Sequence, residues 1–113
     1  MRIIINDEAK KRIRETARYI HKKFGKKARL DFKSEIEHIV KLLHDNPCIG
    51  PAEPYLADAP VLYRSIVVNH LNKMVYWIDG DVIEIVDFWD CRCEPKKQAE
   101  QIIPHSHSSG PST

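Results

Sequence analysis

The apolar residues in the first quarter of the chain are spaced as in an amphipathic helix. They recur at intervals of three or four residues and so share one helical face; they are Ala9, Ile13, Ala17, Ile20 and Phe24. Asn6 is suited to cap the N-terminus of this helix, and Asp7 and Glu8 follow in the first turn, where carboxylates are favoured. Because Gly25 is the residue type expected just past a helix end, the helix is predicted to end there.

A second apolar stripe predicts a second helix, which begins near Lys26. Its members are Ala28, Phe32, Ile36, Ile39, Val40 and Leu43. Pro47 disfavours helical geometry in the residue before it, so the helix should end at Asn46. The break between the two helices is short, and we therefore expect an antiparallel hairpin. Residues 47–60, which contain four prolines, are predicted to form a stiff loop.

Runs of β-branched and aromatic residues predict four strands. The predicted spans are Arg2 to Ile5, Val61 to Asn69, Asn72 to Ile78 and Val82 to Phe88. Short connections join the last three into an antiparallel meander, and the Asp79-Gly80 pair is typical of a hairpin turn. The sequence therefore predicts an α+β fold: an N-terminal strand, a helical hairpin, then a three-stranded meander, with the hairpin packed on a mostly antiparallel sheet.

The alternation of side chains assigns residues to the faces of these strands. Arg64 falls on the same face as Ile66 and Val68. In the last strand, one face is predicted to carry Ile83, Ile85, Asp87, Trp89 and Cys91, and the other to carry Val82, Glu84, Val86, Phe88, Asp90 and Arg92. Since both faces hold apolar residues, the last strand is predicted to be central in the sheet.

A length of 113 residues favours one domain. We predict a single domain over residues 1–103, which ends in a short helix from Glu94 to Ile103, and a flexible tail over residues 104–113. The N-terminus does not resemble a secretory signal, and no apolar run reaches the roughly 18 residues of a membrane helix. Three cysteines do not make a disulfide framework, so a reducing cytoplasm is the predicted location.

The net charge of +2 conceals two halves of opposite sign. Residues 1–33 hold twelve Lys or Arg and four Asp or Glu, whereas residues 34–113 hold six basic and twelve acidic residues. A basic front half suggests an acidic partner, either nucleic acid or an acidic protein segment. The alternative is that both helices have lysine-rich solvated faces.

The pairs Cys91-x-Cys93 and His105-x-His107 contain residue types that bind zinc. The spacing of the cysteines is not that of a zinc knuckle, and the histidines lie in the predicted tail. We therefore predict no metal site and no cofactor.

Several short segments resemble the RelE/ParE superfamily of toxins from type II toxin–antitoxin systems. The match covers residues 2–103 and follows the order strand, helical hairpin, proline-rich loop and meander. The segments that carry it are Ala17-Arg18-Tyr19-Ile20 with Phe24-Gly25, the second-helix pattern of Ala28, Phe32, Ile36, Ile39 and Leu43 with Asn46-Pro47 and Gly50, Tyr63-Arg64-Ser65, Val75-Tyr76-Trp77, Ile83-Glu84-Ile85-Val86, and Asp90-Cys91-Arg92 followed by Pro95. The first helix is closer to the ParE-like branch.

The resemblance implies a toxin that a cognate antitoxin neutralises, and it leaves two activities open. ParE-like members inhibit DNA gyrase, whereas RelE-like members cleave messenger RNA on the ribosome. Cleavage needs cations at the scissile phosphate and a group that moves the proton of the 2′-hydroxyl. Arg64 and Arg92 are the candidate cations and His70 is the candidate proton-transfer group, because residues 47–61 contain no Lys or Arg and the last strand ends without Tyr or His.

The sequence thus favours a ParE-like toxin that acts on gyrase, with an RNA endonuclease and a non-toxic interaction module as alternatives. The residues expected to contact antitoxin or target are Arg14, Arg18, Lys22, Arg64, Trp89 and Arg92. Arg64 is also expected to have a structural role, as the partner of Glu84 or an aspartate across the sheet.

Overall fold

The order of elements follows the predicted one. The computed structural model describes residues 1–91 and residue 102. Its elements are β1 (Arg2–Ile5), α1 (Asp7–Phe24), α2 (Lys26–Asp45), a single 3-10 turn (Pro54–Leu56), β2 (Tyr63–Val68), β3 (Asn72–Asp79) and β4 (Val82–Asp90). The strands form one sheet in the order β1-β4-β3-β2, in which β1 runs parallel to β4 and the other pairs are antiparallel. The α+β fold and the central place of the last strand are confirmed.

The ends of the two helices lie where the sequence signals place them. The side chain of Asn6 accepts a hydrogen bond from the backbone N–H of Ala9 at 2.9 Å, which caps α1. Gly25 separates the helices with a φ of 98°, a conformation that favours glycine, and its N–H donates to the carbonyl of His21. The N–H of Asn46 donates to Leu42 and ends α2.

The main core lies between the helical hairpin and one face of the sheet. Phe32 of α2 packs edge-on against Phe88 of β4, with ring centroids 5.9 Å apart. The buried residues of this core are Ala9, Phe32, Ile36, Ile39, Leu43, Val68, Met74, Tyr76, Ile83, Ile85 and Phe88. We call the sheet face that meets the helices the helix face, and the opposite one the outer face.

A β-bulge in β4 overturns the predicted alternation of that strand. Tyr76 pairs with Ile85, but the preceding residue, Val75, pairs with Asp87, so Val86 is the extra residue of the bulge. As a result Phe88 joins Ile85 in the main core, although strict alternation placed them on opposite faces. Trp89 lies in a separate cluster with Leu56 and Val75. The sequence pattern does not show the bulge, because apolar residues occupy both sides of it.

The proline-rich loop is held against β2 and β3 by buried hydrogen bonds. The hydroxyl of Tyr76 donates to the carbonyl of Pro47 at 2.7 Å and accepts from the N–H of Gly50 at 3.0 Å. A Cβ at Gly50 would lie 2.8 Å from the carbonyl oxygen of Ser65, so a residue with a side chain does not fit there without displacement. The loop also pairs with the edge of β2 through a bridge between Ala52 and Arg64.

The Tyr76→Phe variant tests this anchoring of the loop. Loss of the hydroxyl leaves the buried N–H of Gly50 without its partner, and we expect the free energy of unfolding to fall by about 2 kcal/mol. Urea unfolding measures the change. Tyr63→Phe is the matched control, since no hydrogen bond of the Tyr63 hydroxyl exists within the described residues, and equal losses in the two variants would contradict the anchoring role.

Part of the C-terminal region lies beyond the described residues. This applies to the predicted helix from Glu94 to Ile103, apart from Ile102, and to the predicted tail, so the domain limits stay a prediction. Ile102 packs against the cluster of Leu56, Val75 and Trp89 on the outer face. In residues 1–91, neither helix combines the length and the apolar character needed to cross a membrane.

Candidate functional site

An open apolar groove lies between the C-terminal half of α1, the N-terminal half of α2 and the turn between β2 and β3. Its volume is about 320 Å³. We call it the hairpin groove; it is lined by Thr16, Tyr19, Ile20, Phe24, Ala28, Asp31, Phe32, Glu35, Asn69, Leu71 and Asn72. Phe24 is 65% exposed and Leu71 is 46% exposed, so two large apolar side chains face solvent at its edge. Exposed apolar surface of this kind is typical of interaction sites.

The turn between β2 and β3 brings Leu71 to the hairpin groove. Asn69 and His70 both adopt left-handed backbone conformations, with φ values of 45° and 69°. Positive φ at two successive residues gives the tight turn that suits the twist of antiparallel strands. The predicted short connection is therefore confirmed, and the exposed His70 occupies a turn position.

The ionised groups near the hairpin groove carry both signs. Asp31 and Glu35 line it, and Asp31 accepts a hydrogen bond from Lys27 at 3.0 Å. The ammonium group of Lys23 lies 5.6 Å from the ring centre of Tyr19 and 6.0 Å from that of Phe24. An apolar floor with mixed charges at its edge is suited to one face of an amphipathic helix.

Three of the predicted binding residues lie together on a different surface of α1. Arg14, Arg18 and Lys22 are exposed and follow one another at intervals of four residues, so their side chains form a row. The helical period places this row on roughly the opposite side of α1 from Ile20, which lines the hairpin groove. The prediction that these cations contact antitoxin or target therefore concerns a surface other than the hairpin groove, and it stays a prediction.

The predicted cross-sheet partner of Arg64 is wrong. Arg64 pairs in register with Tyr76 and Ile85, whereas Glu84 pairs with Trp77 and Tyr63, so the arginine and the glutamate lie on opposite faces. The guanidinium of Arg64 instead donates to the carbonyl of Gly50 at 2.8 Å and to that of Cys48 at 3.4 Å. Glu84 accepts a hydrogen bond from the indole of Trp77 at 2.9 Å.

The candidate nuclease residues do not converge within the described part of the chain. Five residues lie between Arg64 and His70 in the chain, and the stretch of β2 from Arg64 to Val68 alone spans about 13 Å. Arg64 contacts the proline-rich loop, and His70 occupies the turn next to the hairpin groove. Arg92 lies outside the described residues. The guanidinium of Arg64 and the imidazole of His70 therefore do not form a common site.

Trp89, another predicted binding residue, is buried on the outer face with 1% of its surface exposed. Lys73 covers it, with the ammonium group 5.6 Å from the indole ring and 5.7 Å from the ring of Tyr55. In this conformation a partner that binds the outer face would contact Lys73 and not the ring of Trp89. The prediction that Trp89 contacts a partner therefore requires the covering groups to move.

A buried carboxylate that no sequence pattern indicated lies beside Lys73. Glu53 accepts hydrogen bonds from Lys73 at 2.6 Å and from the hydroxyl of Ser65 at 2.8 Å, and its other oxygen accepts from the N–H of Tyr55. Burial raises the pKa of Glu53, but these hydrogen bonds and the charge of Lys73 outweigh it, so the pKa lies below its ordinary value. The group joins the proline-rich loop to β2 and β3. No local sequence signal connects Glu53 to a lysine twenty residues later.

A second buried carboxylate, Asp87, lies next to the bulge of β4. Its oxygens accept hydrogen bonds from the N–H of Phe88 at 2.8 Å and from the indole of Trp89 at 3.1 Å, and Arg12 approaches at 3.3 Å. Burial raises the pKa of Asp87 above its ordinary value despite these contacts. An aspartate between the apolar residues Val86 and Phe88 is a sequence signal for such a buried network.

No group of three His, Cys, Asp or Glu side chains able to hold a metal ion occurs within residues 1–91 and 102. Cys93, His105 and His107, which belong to the zinc pattern weighed from the sequence, lie outside that part of the chain.

Comparison with known proteins decides the family. A family model described as the ParE toxin of the type II toxin–antitoxin system parDE matches residues 3–94. The chain belongs to the ParE toxin family. It is thus a toxin component of the type II class, as the resemblance of its first helix to the ParE-like branch predicted. No curated protein sequence matches the chain.

The fold of this ParE family member is also found among solved structures. A chain from the chromosomal ParDE toxin–antitoxin system of P. aeruginosa superposes with a TM-score of 0.65 at 16% sequence identity. The match covers 80% of this chain and 95% of the other. At this identity the similarity establishes a shared fold, while the family assignment rests on the sequence match.

Proposed function

We propose that this ParE family member inhibits DNA gyrase in the cytoplasm and that a cognate antitoxin neutralises it by binding in the hairpin groove. The family match over residues 3–94 is the observation that carries the proposal. The site supports inhibition by binding, since Arg64 and His70 are far apart and Arg64 is engaged with loop carbonyls. A binding inhibitor needs a shaped surface and no proton-transfer group.

The hairpin groove is the surface on which we place the antitoxin. It offers an apolar floor and two exposed anchors, Phe24 and Leu71, which suit the apolar face of an amphipathic segment. Asp31 and Glu35 on one side and Lys23 on another suit charged residues that flank this face. A segment that brings apolar residues spaced as on one helical face is therefore the expected occupant.

A supercoiling assay tests the proposed target. We expect the purified protein to block supercoiling of relaxed plasmid by gyrase, and we expect addition of the antitoxin encoded beside it to restore the activity. Topoisomerase IV and a type I topoisomerase serve as specificity controls. Full gyrase activity at a large molar excess of the protein would refute the gyrase target.

Primer extension on translated messages separates the remaining alternatives. Cuts near ribosome-bound codons that disappear in Arg64→Ala and Arg92→Ala variants would identify an RNA endonuclease. Absence of cuts, of gyrase inhibition and of a growth defect would identify a non-toxic interaction module of the same fold.

A further inference from the structure

The surface of α1 that points away from the hairpin groove carries a row of cations. Five exposed side chains share this surface along about three and a half turns of helix, and we call them the cationic stripe: Lys10, Lys11, Arg14, Arg18 and Lys22. Asp7, Glu8 and Glu15 are the acids nearest to it in the sequence, and Glu8 pairs with Arg12, which is not a member of the stripe. No member of the cationic stripe forms an ion pair with the residues that the structure describes.

The cationic stripe contains no apolar side chain, which distinguishes it from the hairpin groove. The apolar residues of α1 that are large enough to anchor a protein, Ile13, Tyr19, Ile20 and Phe24, lie on its other sides. A protein partner normally buries apolar residues at the centre of its interface. A phosphate backbone offers regularly spaced charges and little apolar surface, and its recognition depends on Lys and Arg.

The length of the cationic stripe also fits a nucleic-acid strand. Lys10 and Lys22 are separated by about 18 Å along the helix axis. One strand of duplex DNA has a phosphate every 3.4 Å along the duplex axis, so about five phosphates occupy that distance. Five cations thus face about five phosphates.

We propose that the cationic stripe binds the phosphate backbone of duplex DNA without reading its sequence. A toxin that acts on gyrase meets its target on DNA, so the choice of DNA over RNA rests on the proposed function. Contact with DNA would raise the concentration of the toxin where gyrase works. The hairpin groove stays open while the stripe is bound, because the two surfaces lie on opposite sides of α1.

Fluorescence anisotropy with a labelled 20-base-pair DNA duplex, without gyrase, tests the proposal. Five phosphate contacts predict that log K falls against log salt concentration with a slope of about −4.5. The triple variant Arg14→Gln, Arg18→Gln, Lys22→Gln should reduce the steepness of the slope by about 2.7 and weaken binding more than tenfold at low salt. An RNA duplex of the same sequence and a polyglutamate peptide are measured in parallel.

The matched control removes three exposed lysines of α2 by the substitutions Lys26→Gln, Lys33→Gln and Lys41→Gln, which change the net charge equally. Preserved binding in this control, together with loss in the stripe variant, supports the proposal. Equal losses in both variants, stronger binding to RNA, or binding to polyglutamate alone would overturn it. Because the binding assay contains no gyrase, its result is independent of the supercoiling assay. A protein that inhibits gyrase but does not bind DNA would overturn only this proposal, and a protein that binds DNA but does not inhibit gyrase would overturn only the proposed function.

Discussion

Replacement of Phe24 and Leu71 together by alanine is expected to raise the Kd of the antitoxin on the order of 1,000-fold. Each side chain is an exposed apolar anchor at the edge of the hairpin groove. Truncation of a large apolar side chain that the partner buries costs about 2 kcal/mol at a hot spot, and two such losses correspond to about three powers of ten in Kd. Calorimetric titration of the purified antitoxin into each variant measures the effect.

The double variant Leu62→Ala, Val67→Ala provides the matched control. These residues, at 57% and 58% exposure, are apolar side chains of similar size on and beside β2, away from the hairpin groove. We expect the control to keep its affinity within a factor of about three, as surface substitutions outside an interface do. Loss of affinity in the control with preserved affinity in the Phe24, Leu71 variant would place the antitoxin at the edge of β2 instead.

Gyrase inhibition by the Phe24, Leu71 variant gives a second readout. If the groove binds the antitoxin and another surface binds gyrase, the variant inhibits gyrase like the wild type but is no longer rescued by the antitoxin. Unchanged circular dichroism and unchanged urea unfolding would show that the two truncations leave the fold intact.

Replacement of Lys73 by methionine is expected to lower the free energy of unfolding at pH 7 by about 3 kcal/mol. The substitution keeps most of the apolar stem over Trp89 but removes the ammonium group that lies 2.6 Å from the buried Glu53. A buried carboxylate without its cation is strongly destabilising. Urea unfolding of the wild type and of Lys73→Met measures the loss, with Lys33→Met as the control at an exposed position.

The loss caused by Lys73→Met should shrink as the pH falls. In the wild type the pKa of Glu53 is lowered below 4.5, so its contribution is fully present above pH 4.5 and is lost as the pH falls through the folded-state pKa. Without Lys73, burial still raises the pKa of Glu53 while the hydrogen bond and the charge of the lysine no longer lower it, so the pKa should lie above that of the wild type and the penalty should be greatest at pH 7. The difference in stability between the two proteins should therefore shrink as the pH falls and the carboxyl group protonates.

The double variant Glu53→Gln, Lys73→Met separates the charge effect from packing. Glutamine has nearly the same shape: its carbonyl oxygen can accept from the N–H of Tyr55, and its NH2 group can donate to the hydroxyl oxygen of Ser65. We expect it to recover much of the stability lost in Lys73→Met and to remove the dependence on pH. No recovery at pH 7 would show that the loss in Lys73→Met does not come from the uncompensated charge of Glu53.

Much of the fold could be predicted from local signals. Asn6, Gly25 and Pro47 place the ends of the helices, and the structure has them there. Turn residues and β-branched runs locate the strands to within two residues. These features depend on interactions between neighbours in the chain, so a single sequence contains the information needed for them.

Side-chain partners were predicted less well. Arg64 was expected to pair with Glu84 or an aspartate across the sheet, but the register between β2, β3 and β4 places Glu84 on the opposite face, and Arg64 donates to loop carbonyls instead. The bulge at Val86 moves Phe88 into the main core and Trp89 into the outer cluster. Both outcomes depend on how three strands align, and one inserted residue reverses every assignment beyond it.

The sequence by itself determined the order of elements, the family and the cationic stripe, because helical spacing alone brings Arg14, Arg18 and Lys22 to one side of α1. Only the tertiary structure decided the hairpin groove and the pair of Glu53 and Lys73. Each combines residues far apart in the chain that meet only when α1, α2, the loop and the strands pack together. The same packing places the guanidinium of Arg64 against the carbonyls of Cys48 and Gly50 in the loop, on the face of the sheet opposite to Glu84.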